Sequence, residues 1–285
     1  PNLAGLADAA GYLSCLNLMA DVRDFAKFGT HDVHTAVLNM LNPNPALKLQ
    51  EVIETRVFAS IDGETFAPVH RTIAEYLAAQ YLARRIKVNL PVGRVLAMLQ
   101  GADGGIFTPL RGLHAWLAVY APEARTLCID ADPIGVVLYG DVSGFSVTEK
   151  QKILANIRAM AKFSSAAIWQ KWDSATWSGL ATHDMTAVLK AALLADVSIE
   201  ENRILASVVL KALEAASAIP ALSETLLELV RKSTWPEYLR GFALKVALKH
   251  FGLKGAHLQM LLDDIQSGAV VDSGSTVTLF LVLAG

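Results

Sequence analysis

Six helix-start signals recur along the second half of the chain at nearly even intervals, and this spacing restricts the fold more than any other feature. Ser146/Glu149, Ser198/Glu201 and Thr234/Glu237 have the Ser/Thr-x-x-Glu form of a capping box, in which each side chain satisfies a backbone N–H that the first turn leaves unbonded. Ser164 and Thr182 are further cap candidates, and Pro220 suits the first turn of a helix. The starts fall at 146, 164, 182, 198, about 218 and 234, with gaps of 18, 18, 16, 20 and 16 residues. One helix every ~18 residues makes a two-helix unit of ~36, near the period of helical solenoids, whose units bury their apolar faces only by stacking. Spacing inside the segments agrees. Ile153, Ile157, Met160 and Ala161 fall on one helical face, as do Leu205, Val208, Val209 and Ala212. The expectation is a HEAT-like α-solenoid over 146–285.

The first part of the chain has a different rhythm. "LAGLADAAGYLSCLNLMADV" carries apolar residues at helical spacing, "THDVHTAVLNML" opens on a threonine cap candidate and stops at "NPNP", and "ALKLQEVIET" makes a third short helix. The period then changes. "RVFASIDGETFAPV" reads as two extended arms around Asp62-Gly63, the strongest two-residue hairpin signal. Three helices followed by one β-hairpin is the order of a winged-helix domain, expected over 1–69. A long helix follows, with Thr72 and Glu75 spaced as another capping box. A helical linker domain is expected over 70–145. Within it "GADGG" is a glycine turn, "LRGLHAWLAVYA" a helix, and Pro122 the start of the next helix. "DADPIGVVLYGDVSGF" reads as an irregular or short extended linker. The fold class is therefore mainly α.

Composition narrows the partners. Apolar residues make up 53% of the 285 residues and charged residues 18%, enough for large cores, yet no window reaches the ~18 unbroken apolar residues of a membrane helix. A net charge of −2, without long basic or acidic runs, favours neither nucleic acid nor an anionic membrane surface. Cys15 and Cys128 stand far apart among apolar residues, as reduced thiols of a cytoplasmic protein would. The chain opens on Pro1 without a methionine and closes inside "LFLVLAG", which reads as a piece of a larger protein.

Each candidate for chemistry has a structural alternative. No GxxxxGK[ST] phosphate loop is present, so this chain by itself is expected to be non-catalytic and to hold no nucleotide cofactor. "GDVSG" lacks the spacing of a nucleophile loop and reads as a turn before a helix cap. His31 and His34 have no third and fourth ligand near them, so no metal site is expected. His250 suits the last turn of a helix, where a cation is favoured. Trp169, Trp172 and Trp177 form either a partner-binding surface or core packing. Arg71, Arg84, Arg85 and Lys87 invite a DNA-binding reading, but residues 1–90 carry nine acidic against eight basic side chains, and the helix before the hairpin is acidic. His70, between the second hairpin arm and Thr72, either packs at that junction or contacts a ligand.

The stretch "FAPVHRTIAEYLAA" resembles the end of the winged-helix domain of NACHT-type STAND NTPases. The matching positions are Phe66, His70, Thr72, Ile73, Glu75, Tyr76, Leu77, Ala78 and Ala79. The spacing from Phe66 to His70 departs from the shorter animal pattern. "LRGLHAWLA" and "DPIGVVLYGDV" also look like the region that follows in large bacterial members. The resemblance implies a regulatory fragment. An N-terminal nucleotide-binding domain would carry the P-loop and hold ADP or ATP with Mg, and His70 would contact the ADP phosphates as part of a lid. The helical array would bind a protein partner or trigger, in a role in antiviral defence. The alternative expectation is a stand-alone helical-repeat scaffold.

Overall fold

The computed structural model describes residues 3–29, 33–41, 48–161, 174–232 and 234–251, together with Gln259 and Asp263. The chain divides into two compact units, Pro1–Asp141 and Val142–Gly285. The described residues hold twelve α-helices and one four-stranded sheet, so the mainly α expectation holds.

In the first unit α1 (Leu3–Met19) is followed by β1 (Asp24–Ala26), β2 (Thr35–Val37), a 3-10 turn at Leu38–Met40 and α2 (Leu49–Ile53). Next come β3 (Phe58–Ser60), β4 (Thr65–Pro68) and α3 (Arg71–Val88). The sheet order is β2-β1-β4-β3, with β1 and β2 parallel and the other neighbours antiparallel. Strands β3 and β4 are the two arms expected around Asp62-Gly63. Ser60 faces Phe66 in the register and the Ile61 N–H donates to Thr65, so the turn is Asp62-Gly63-Glu64 rather than two residues. Asp62 organises it. Its carboxylate accepts from the backbone N–H groups of Glu64 and Thr65 and from the Thr65 hydroxyl, and Gly63 supplies the φ of +93°.

The helix expected within "THDVHTAVLNML" is corrected. Its described part is strand β2 and the 3-10 turn. Thr35 and Val37 are β-branched, and β1 offers a partner edge, on which the Thr35 hydroxyl also donates to Asp24. The expected three helices and hairpin become two helices and a four-stranded sheet. Its core joins Ala9, Ala10 and Leu13 of α1 to Phe25, Ile53 and Phe58, with the Phe25 and Phe58 rings edge-on at 6.1 Å. Helix α3 packs along α1. Gly11 permits the close crossing, because a Cβ there would lie 2.5 Å from Tyr81 Cβ.

The first unit continues with α4 (Val92–Leu99), a 3-10 turn at Thr108–Leu110, α5 (Arg111–Tyr120), α6 (Pro122–Ala131) and α7 (Pro133–Tyr139). Helix α5 packs on α3, α6 and α7. Pro122 opens α6 as expected. Helix α7 replaces the expected irregular linker. Asp132 caps it by accepting from the Gly135 N–H at 2.8 Å, and Pro133 holds the first helical position.

The second unit contains α8 (Val147–Met160), a 3-10 segment at Ser174–Leu180 and another at His183–Met185 running into α9 (Thr186–Leu194). It continues with α10 (Glu200–Ala215), a 3-10 turn at Pro220–Leu222, α11 (Ser223–Arg231) and α12 (Glu237–Phe251). Ser146 and Glu149 form the complete capping box. Ser198 does not cap: Ile199 takes the cap position, and the Ser198 N–H instead donates to Asp196 at 2.9 Å. Thr234 lies outside α12, which begins directly after Pro236. Ser164 lies outside the described residues. Ile153, Ile157 and Ala161 are buried as expected, but Met160 turns out to solvent. Helix α10 packs against α8, α9 and α12. No described helix is long and apolar enough to cross a membrane.

Candidate functional site

Strand β4 ends at Pro68, and the chain reaches α3 through Val69 and His70. His70 keeps an extended backbone (φ −139°, ψ 136°) and sits at the cap position, its carbonyl accepting the first helical bond from Ala74 at 3.1 Å. Its imidazole makes no capping hydrogen bond and is exposed. The expected Thr72/Glu75 capping box does not form. Helix α3 starts one residue before Thr72, which places Thr72 inside the first turn and turns Glu75 towards the protein interior.

Glu75 is 9% exposed and meets the start of α5. One carboxylate oxygen accepts from Arg71 Nε at 2.9 Å. The other lies against Gly112, where an added Cβ would come within 2.0 Å of it. Burial raises the Glu75 carboxyl, and the Arg71 guanidinium opposes that rise. Arg71 uses a second nitrogen to donate to the Pro109 carbonyl in the turn before α5. One guanidinium thus joins α3 to the start of α5.

A second ion pair lies beside the first turn of α5. Arg111 donates Nε to Asp132 Oδ2 at 2.6 Å and Nη2 to Oδ1 at 2.9 Å, a two-pronged match of fork to carboxylate. The hydrogen bonds that Arg111 donates to Asp132 raise its pKa above the ordinary range. Asp132 is also the cap of α7, so one carboxylate serves a charge and a helix start. His114, on the next turn of α5, is fully buried, and neither ring nitrogen has a hydrogen-bond partner among the described residues. Burial pulls its pKa down to about 4, with Asp132 pulling upward and Arg111 downward, so the ring is neutral at pH 7. Further along, Tyr76 lies edge-on to Trp116 and Tyr120, each at 5.2 Å. Burial, then the Tyr76 hydroxyl, push Tyr120 up to about 12.

Trp177 is fully buried in the second unit, which makes it a packing residue and removes it from any partner surface; Trp169 and Trp172 lie outside the described residues. Among the histidines, His34 Nδ1 sits 3.2 Å from Asp21 Oδ2, and His31 and His257 lie outside the described residues. His250, in the last turn of α12, donates to the Leu213 carbonyl at 2.6 Å. Cys15 and Cys128 are pushed up to about 12 by burial, which keeps both as thiols at neutral pH. Lys150, 1% exposed, donates to the Ser143 carbonyl at 2.8 Å and to Thr182 Oγ1 at 2.9 Å. Those two residues also line an open pocket of about 380 Å³ with Ser178, His183 and Ser217.

Sequence reasoning singled out His70 and placed it correctly at the hairpin–helix junction. It named Arg71 only within a basic group and Glu75 only as a capping and motif residue, and it missed Arg111, Gly112, His114 and Asp132. The four-residue spacing of Arg71 and Glu75 and the Asp132-Pro133 pair were the available signals; the meeting of α3 and α7 at the same end of α5 was not in the local sequence. No family model, no curated protein and no solved structure matches this chain.

Proposed function

We propose that the chain is the regulatory, non-catalytic region of a NACHT-type STAND NTPase, with His70 as the lid contact to an ADP held by a P-loop domain of the same protein. The observation that carries this reading is the exposed imidazole of His70, free of any capping bond, at the end of a hairpin and inside the Phe66–Ala79 motif. A residue serving only the helix start would turn its side chain back to the first-turn N–H groups. An imidazole left facing solvent can donate to a phosphate oxygen, and more strongly when protonated. The β1 and β2 strands depart from the simple winged-helix order; the hairpin and the helix after it are what supports the reading.

The second unit supplies the sensor. The packing of α10 on both α8 and α12 is what one layer of a HEAT-like array would give, with α9 on the other layer. Its outer surface would take the trigger or protein partner, and signal-dependent release of the lid would follow exchange of ADP for ATP with Mg. The same stacking suits a stand-alone scaffold, which a reading frame lacking any GxxxxGK[ST] would favour.

The test is His70→Ala in the protein carrying its nucleotide-binding domain, read by the ADP that co-purifies and by basal ATP hydrolysis. Loss of a charge-assisted hydrogen bond should raise the ADP dissociation constant about 10–100-fold. ADP retention equal to that of the unaltered protein would sink the reading.

A further inference from the structure

We infer that Arg71, Glu75 and Gly112 act as a positioning clamp that fixes the His70 turn on the end of α5. This inference deepens the lid reading of His70 and concerns how that contact is held in place.

His70 is exposed, and its side chain makes no capping hydrogen bond. The Val69 N–H donating to the Val57 carbonyl at 3.0 Å and the Ala74 N–H donating to the His70 carbonyl at 3.1 Å hold its backbone on either side, and the next residue ties this junction to α5. Arg71 donates in two directions, to Glu75 one turn further along α3 and to the Pro109 carbonyl across the gap to α5. Removing Arg71 would therefore free the α3 start from α5 as well as from its own helix. Glu75 is the inner anchor. Its carboxylate is taken out of water, which burial alone disfavours, and the Arg71 charge offsets part of that penalty. The carboxylate fits only because residue 112 has no Cβ. Gly112 lies 42 positions from His70 in the chain and has no side chain to touch a ligand, yet its bareness decides where Glu75, then Arg71, then His70 can sit. Two clamped neighbours give the imidazole a fixed origin, the arrangement in which a single hydrogen bond to a ligand loses least entropy on forming.

A structural role confined to α3 and α5 would alter stability without moving His70. A positioning role must move it. The experiment follows the His70 ring resonances and the exchange rates of the 70–73 backbone amides by NMR in this chain, for Arg71→Ala, Glu75→Gln, Glu75→Ala and Gly112→Ala, with a thermal melt to confirm folding. Glu75→Gln keeps an acceptor for Arg71 and should change these signals least. Gly112→Ala displaces the carboxylate and should shift the His70 ring and speed amide exchange about tenfold, as Glu75→Ala should. His70 signals and amide exchange unchanged in folded Arg71→Ala and Gly112→Ala chains overturn the clamp, whatever His70 contacts.

ADP retention in the protein with its nucleotide domain separates the clamp from the lid. If His70→Ala weakens ADP and Gly112→Ala weakens it about threefold to tenfold, both stand. If His70→Ala weakens ADP and folded Gly112→Ala does not, the clamp fails as a positioning device while the lid survives. If His70→Ala leaves ADP unchanged, the lid fails, and the NMR result alone decides the clamp.

Discussion

Helix α5 in the first unit and helix α10 in the second are both central, and they are built on opposite terms. Helix α10 buries Ile204, Ala206, Val208, Val209, Leu210, Ala212 and Leu213, and its polar Asn202 is satisfied by the Asp196 carbonyl at 2.8 Å. Helix α5 buries Leu113, Ala115, Leu117 and Ala118 too, but its first turns also meet Glu75, the Arg111–Asp132 pair and the unbonded His114. An apolar core tolerates loss in proportion to the volume removed. A core holding matched charges does not, because removing one partner leaves the other without compensation. The difference teaches where each helix is fragile: α10 in its packing volume, α5 in its charge pairing.

Deleting one charge from the first unit should produce the larger effect. Asp132→Ala removes both the Arg111 partner and the α7 cap, and is expected to cost about 4 kcal/mol by chemical denaturation. Asp132→Asn keeps a capping oxygen and should recover about 1 kcal/mol of that. The matching change in the second unit, Leu210→Ala, should cost about 3 kcal/mol through transfer and cavity terms. A Leu210→Ala loss well above the Asp132→Ala loss would break the comparison.

Acid should separate the units next. The folded-state pKa of His114, about 4, lies below its ordinary 6.5, so the unfolded chain binds the proton first as pH falls. The stability contributed by neutral His114 is complete above pH 6.5 and is lost down to pH 4, a change of about 3 kcal/mol. Glu75, raised by burial, acts in the opposite direction. His114→Gln should remove the loss between pH 6.5 and 5, measured by denaturant titration at each pH. An unchanged pH profile in that variant would show that His114 does not set it.

The smallest effect is expected at a solvent-side cap. Ser146→Ala removes the side chain that accepts the Glu149 N–H at 3.3 Å, and should cost about 1 kcal/mol in thermal unfolding. A loss larger than that of Leu210→Ala would rank the capping box above the α10 core in the second unit.

Local chemistry determined several features without help. Ser146 and Glu149 could recognise each other because both ends of a capping box lie within one turn, and Asp62-Gly63 could mark a hairpin because its φ and Asx bonds are local. The place of His70 at the junction of hairpin and helix was also local, although its exposure was not. The same local pattern failed at Thr72, Ser198 and Thr234, where the helix started at a different residue. Strand β2 was helical by spacing and became extended because β1 offered an edge to pair with. Tertiary structure alone brought Glu75 to Gly112 and Arg111 to Asp132, buried Trp177 completely, and left the His114 ring without a partner. The physical reason is range. Caps and turns are settled within about four residues, whereas burial, ion-pair matching and pKa shifts depend on which distant elements pack together.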